Sequence, residues 1–297
     1  MRDFFGKHVN VVFLFTCLIA FAACSHHEKR HDLPVVKLSG PIELRLKAEM
    51  GRKETVEYLH KSVSDSYEER DLRRRTQEEL AFVSQAETVK VDPAAASGLG
   101  SFTQVLTTSN KVGTLELHDF AMPEPGEKLE VTADARGRIL KSGEYPVNSL
   151  FYVPPVSLPE GPVAIGDTWT MQSSWLSLDN MVPYQLDMVS ILKGVYQCGD
   201  EQCADVELSG EVGFQGPLAQ AMSFKSSWRG RMLFAMKTGT VAWSRVDSEE
   251  RFIADNVRRD VTSCLESVLR EPAVVKVPGL ETPKCEPKPL ADTQTAN

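Results

Sequence analysis

Six cysteines and six histidines carry most of the reactive chemistry of this 297-residue chain, and their spacing sorts them into three groups. The first is Cys24 with His26, His27 and His31, in "ACSHHEKRH". Three imidazoles and a thiol can ligate zinc or nickel, but a metal needs ligands held in a fixed geometry, and this stretch has no helical or strand pattern to hold them. No metal site is expected. The second group is Cys198, Cys203, Cys264 and Cys285. None of these cysteines forms the C-x-x-C spacing of a redox centre, so structural disulfides are the expected chemistry. The third is His60 and His118, on which any Ser-His-Asp triad would depend; both sit at strand spacing and read as ordinary sheet residues. The chain lacks G-x-S-x-G, H-E-x-x-H and G-x-x-x-x-G-K-[ST]. Its 41 acidic residues leave paired-carboxylate hydrolysis as the one open catalytic alternative. Catalytic residues and cofactors are therefore expected to be none.

A net charge of -8 argues against nucleic acid, because phosphate binding needs clustered, uncompensated cations. The one basic run, Arg73-Arg74-Arg75, is flanked by Glu68, Glu69, Asp71, Glu78 and Glu79 and reads as a solvated, balanced face.

Arg2 and Lys7 precede "VVFLFTCLIAFAA", Val11 to Ala23, which is 13 residues without a charge. That is the layout of a secretory signal peptide, and at ~1.5 Å per residue it is too short to span a ~30 Å hydrocarbon core as a helix. Phe21-Ala22-Ala23-Cys24 resembles the lipobox of bacterial lipoproteins, with Phe21 standing where Leu is usual. The resemblance implies cleavage before Cys24 by signal peptidase II, acylation of that thiol, and a cell-envelope location on a lipid anchor. Ser25, where inner-membrane retention usually requires Asp, implies sorting to the outer membrane, on its periplasmic or surface face.

Cysteine parity agrees with this reading. Once Cys17 leaves with the signal peptide and Cys24 is acylated, four cysteines remain, and an oxidising compartment should pair them. Two alternating segments, Tyr184 to Cys198 and Cys203 to Phe214, flank the polar turn Gly199-Asp200-Glu201-Gln202. A hairpin with Cys198 opposite Cys203 follows. Cys264 and Cys285 are the remaining pair, folding the C-terminal segment onto the body.

The elements that must carry these groups read as strands. In "PIELRLKAEM" the residues Ile42, Leu44, Leu46, Ala48 and Met50 alternate with charged ones, predicting a strand with one wet face; "ETVEYLH" is its expected hairpin partner. Ser66 to Val83 is ambiguous, since a capping box at Ser66 and Glu69 suggests helix while its neighbours suggest a long charged edge strand. Glu130 to Ser142 and Met232 to Ser244 both read as hairpins, turning at Arg136-Gly137 and Thr238-Gly239. Five prolines between Pro146 and Pro162 mark a boundary or a crossing loop.

"LPEGPVAIGDTWTM" directs Val163 and Ile165 inward, turns at Gly166-Asp167 and opens a strand at Trp169. Here, through "GRMLFAMKTGTVAWSRVDSEERF", the chain resembles an uncharacterised group of secreted bacterial β-rich proteins that carry P-V-x-x-G-D-x-W. The resemblance implies an all-β, mainly antiparallel fold, such as the curved half-barrel of lipoprotein carriers, and no activity.

The expectation is an all-β protein, a curved sheet, half-barrel or sandwich with at most one or two short helices. Its divisions are a signal peptide (1–23), a lipidated tether (24–35), a first β unit (36–150), a second β unit (151–270) that continues the first or stands apart, and a proline-rich, largely disordered tail (271–297). Function is read as non-enzymatic: a lipid-anchored body that binds an envelope protein or an apolar ligand. Trp169, Trp175, Met181, Met222, Phe224, Trp228, Met232 and Phe234 either line such a surface or fill the core. Mass spectrometry of the mature protein is predicted to show Cys24 as first residue carrying diacylglycerol; an intact peptide across residues 20–28 contradicts it.

Overall fold

The computed structural model describes residues 33–68, 71–93, 100–147, 158–176, 183–214, 223–254, 256–273, 277 and 279–287. Cys24 and its tether lie outside the described residues up to Leu33. Residues 31–297 form one compact unit.

Alternation of apolar and polar residues over long runs produces eleven strands. They are β1 (Lys53–Glu68), β2 (Asp71–Asp92), β3 (Ser101–Val112), β4 (Leu129–Asp134), β5 (Ile139–Ser142), β6 (Thr168–Leu176), β7 (Pro183–Cys198), β8 (Glu201–Phe214), β9 (Ser223–Ala235), β10 (Thr240–Ala254) and β11 (Val257–Glu271). All pair antiparallel in one sheet, ordered β5-β4-β3-β2-β1-β11-β10-β9-β8-β7-β6. The two groups of strands on either side of the proline-rich stretch are thus joined through the β1–β11 ladder. The stretch itself leads from one sheet edge, β5, to the other, β6.

The sheet is strongly curled, as two hydrogen bonds demonstrate. Leu46 N–H donates to Ala135 O at 2.8 Å and the next residue, Lys47, donates to Gly239 O at 3.0 Å. Ala135 follows β4 and Gly239 precedes β10, five ladder steps or roughly 24 Å apart on a flat sheet. Consecutive residues are only about 3.8 Å apart. The sheet must therefore bend around the segment that bridges the two turns.

That segment, residues 34–52, is the expected first strand, and it behaves differently. Its alternation is real, for Leu44 is fully buried, but only an isolated bridge from Ile42 to Val163 forms and the pairing with "ETVEYLH" does not. β1 pairs with β2 and β11 instead. The segment runs across one end of the sheet, from Val36 N–H on Val195 O to Arg52, whose guanidinium donates to Lys47 O, Thr238 O and Glu54. Periodicity reported an extended chain with one buried face and carried no information about its partner.

The ambiguous run is strand β2. Its first ten residues precede the β3 ladder, which begins at Ala81, so they border β1 on one side only among the described strands. Six of those ten are charged, which is how exposed edges resist further pairing. Two smaller expectations fail: Ile165 is exposed, and Leu117–Phe120 is a 3-10 turn rather than a strand, so His118 is no sheet residue.

The core lies on the inner face. Leu44, Leu158 and Val163 pack there with Leu186, Met188, Leu192, Val206, Trp228, Met232 and Phe234. Across the sheet, the turn after β3 places Leu117, Phe120 and Met122 on Leu80 and Phe82. On the outer face, Leu33, Val277 and Leu280 cover Leu233, Ala235, Trp243 and the Cys198–Cys203 bridge.

Gly239 marks the tightest crossing. Its φ is +68°, and a Cβ there would meet Lys47 N at 2.7 Å; Gly51, at φ +76°, has nothing within 4 Å. Gly51→Ala is predicted to cost about 1 kcal/mol for the left-handed backbone alone. Gly239→Ala should cost more, because backbone must also move, read as a larger drop in the urea midpoint. Equal losses would contradict the crossing described here.

Candidate functional site

Ladder registers place inner-face residues in rows across the sheet. The row at the end remote from the crossing segment is aromatic: Tyr184 on β7, Phe214 on β8, Phe224 on β9 and Phe252 on β10. Tyr184 lies 5.2 Å from Phe214 and 5.3 Å from Phe224, and Phe214 lies 5.2 Å from Phe224 and 6.4 Å from Phe252, between ring centroids. Edge-on and tilted contacts at these separations suit aromatic quadrupoles. All four rings are half-buried. The register continues the row across the sheet through Arg259 on β11, Ser66 on β1 and Arg74 on β2, and both arginines are exposed.

One step inward the face becomes polar. Trp228 Nε1–H donates to Ser226 Oγ at 2.6 Å, and Ser226 in turn donates to Glu250 Oε1 at 3.4 Å. Burial raises the Glu250 carboxyl above its ordinary value, against the weaker opposing effects of Ser226 and Arg259. Arg259 Nε donates to Ser64 Oγ at 2.8 Å, and Ser248 and Ser263 share a hydrogen bond of 2.7 Å. Small hydroxylated side chains let this row satisfy itself inside the curl.

Deeper still is His60, the histidine at strand spacing that a triad would have needed. Its ring meets Phe120 edge-on at 5.4 Å, and Nδ1 has no hydrogen-bond partner. Burial lowers its pKa to about 4. It is packed as a neutral side chain. His118 sits on the 3-10 turn and bonds Glu127 at 2.7 Å on the surface.

The expected cysteine pairs are present, Cys198 with Cys203 and Cys264 with Cys285, at Cα separations of 5.9 and 5.8 Å. The hairpin is tighter than expected: Cys198 opposes Glu201 and Cys203 opposes Tyr196, so the turn is Gly199-Asp200 and the bridge is diagonal. The second bridge, with Lys61 on Glu286 at 2.9 Å, fixes the tail against the outer face. Asp167 is a turn residue as read, accepting Ala164 N–H at 2.8 Å. Trp228, Met232 and Phe234 fill the core rather than line a groove, and Trp169 packs partly against it. The side chains of Trp175, Met181 and Met222 lie outside the described ones.

The carboxylates most nearly arranged for hydrolysis are Asp65 and Asp260, direct register partners on the outer face. Arg75 grips Asp65 through two hydrogen bonds of 2.6 and 2.7 Å and holds its carboxyl below the ordinary range. Arg251 and Arg258 hold Asp260 at 2.9 and 3.2 Å. A glycosidase pair needs one protonated acid. The raised carboxyl, Glu250, belongs to the opposite face. A separate cavity of about 320 Å³ at the β2–β4 edge is lined by Lys90, Asp92, Thr103, Glu130, Thr132 and Lys141, with no apolar floor beyond Val89 and Phe102.

No family model and no curated protein matches the sequence. Among solved structures, an outer membrane channel from Pseudomonas putida F1 is 10% identical at a TM-score of 0.23, covering 79% of this chain and 100% of its own. Pseudomonas aeruginosa OpdQ is 7% identical at 0.24, covering 73% and 97%. Likeness at these scores carries no argument.

The His60 environment has a pH consequence. A histidine with a depressed folded pKa contributes stability in full above its unfolded value of 6.5, and loses it as pH falls toward about 4. Glu54 and Glu250, raised mainly by burial, act in the opposite sense and lose stability as pH rises above 4.5. His60→Leu isolates the histidine: the wild type is predicted to lose about 2 kcal/mol more than the variant between pH 7 and 5, by denaturant unfolding. Parallel pH curves contradict this.

Proposed function

We propose that this chain is a non-enzymatic envelope lipoprotein, held in the outer membrane by an acylated Cys24, whose body binds a protein partner at its aromatic row. The lipobox residues and the parity of the cysteines support the anchor. The carrying observation for binding is the row Tyr184, Phe214, Phe224 and Phe252, four half-buried rings on four consecutive strands of the inner face. Aromatic side chains with a solvated face are the groups interfaces favour as anchors.

A protein partner is favoured over an apolar small ligand because Leu44, Leu158 and Phe120 occupy the curl and Trp228, Met232 and Phe234 are packed beneath them. What the row presents is a rim, with Arg259 and Arg74 beside it for polar contacts. Carboxylate-dependent hydrolysis has less support, since the arginine contacts of Asp65 and Asp260 suit structural ion pairs.

Crosslinking and pulldown of the anchored protein from envelope membranes is the test. Phe224→Ala and Phe252→Ala are each predicted to reduce recovery of the partner at least tenfold, with the Cys198–Cys203 and Cys264–Cys285 bridges and the far-UV spectrum retained. Undiminished recovery from both folded variants contradicts the reading.

A further inference from the structure

An open sheet has edges, and the three edge regions described here are treated very differently by the sequence. β5 has only four residues and carries Lys141. The one-sided part of β2, residues 71–80, carries six charges. Short strands and charged side chains are the usual guards against edge-to-edge pairing. β6 has neither. Its nine residues, "TWTMQSSWL", contain no charge, no proline and no glycine, and its ladder with β7 runs through all nine without a bulge. It is the last strand of the described sheet on its side.

A regular, uncharged nine-residue edge is a template for another strand. Its own sequence names the best-matched one. Turned antiparallel onto a copy of itself about Gln172, β6 brings Trp169 opposite the copy's Trp175 and Trp175 opposite its Trp169. The same two-fold sets Thr170 opposite Ser174, Met171 opposite Ser173 and Gln172 opposite itself. Residues 169, 171, 173 and 175 share one face, and because the axis is perpendicular to the sheet, inner faces stay with inner faces. Aromatic and hydroxyl pairs directly across an antiparallel ladder are favourable ones, and no like charges are opposed. A two-fold interface needs this self-complementarity.

We propose that β6 is a homodimerisation strand, pairing antiparallel with β6 of a second copy about a two-fold axis through Gln172. Two eleven-stranded sheets then join edge to edge. Thr168, Thr170 and Gln172 alternate on the exposed outer face and remain there in the dimer. The proposal does not depend on what the aromatic row binds.

Register-specific crosslinking tests it in the full, membrane-anchored chain. Gln172→Cys places two thiols opposite each other across the axis, about 5 Å apart between Cα atoms. Thr168→Cys places its two thiols eight residues apart along the ladder, about 27 Å, beyond a short bis-maleimide. The dimer band on a denaturing gel is expected to be at least tenfold stronger for Gln172→Cys. Light scattering of the detergent-solubilised wild type should give two chains per particle, and Gln172→Lys, with an unchanged far-UV spectrum, one. Equal or absent crosslinking, or a crosslink to a different protein, overturns the second-copy assignment. Should Gln172→Lys fail to fold, the two cysteine variants decide alone.

Discussion

Two adjacent backbone donors, Leu46 N–H and Lys47 N–H, reach carbonyls on turns that five strand spacings separate, and the rest of the structure follows from that demand. A flat sheet cannot meet it. Once the sheet curls around residues 34–52, Leu44 is enclosed by β7 to β9, and Leu158 and Val163 are drawn in beside it from the loop that joins the two sheet edges. The opposite wall receives the 3-10 turn at Leu117–Phe120. Unlike a half-barrel kept open for a guest, this one encloses its own chain, and what it offers to partners is its rim and one edge.

The two faces divide the remaining work. Inward, apolar rows give way toward the rim to serines and the buried Glu250, then to four aromatic rings. Outward, the row Lys225, Arg251, Asp260, Asp65 and Arg75 alternates charges across five strands, and each carboxylate is gripped by arginine. Exposed ion pairs of this sort stabilise little individually, but a charged outer face does not stack on another sheet. The C-terminal segment covers the exception, the apolar patch around Leu233 and Trp243, and Cys264–Cys285 keeps it there. Disulfides suit the oxidising compartment that the N-terminal residues imply.

Much of this was legible in the residues. Period-two alternation identified the all-β class, the hairpins at Arg136-Gly137 and Thr238-Gly239, and the turn at Gly166-Asp167, because each of these is decided within a few residues. Cysteine parity identified both bridges. What could not be read was pairing at long range: "PIELRLKAEM" alternates as a ladder strand does, yet its neighbours are turns 90 to 190 residues away, and no local signal encodes them. The aromatic row was hidden for the same reason. Tyr184, Phe214, Phe224 and Phe252 come from four strands, and they align only when four registers are known. Ser66 to Val83 was ambiguous because its charges serve an edge, which a window of sequence cannot distinguish from a solvated helix.

Hydrogen exchange along the intact, anchored chain tests the central claim most directly. If residues 34–52 fill the curl, the amides of Ile42, Leu46 and Lys47 exchange as slowly as those of β8 and β9, whose ladders are internal to the sheet. Exchange of those three amides at the rate of an open segment, with β8 and β9 still protected, would mean that the concave face is vacant in solution and that the account of a self-filled half-barrel is wrong.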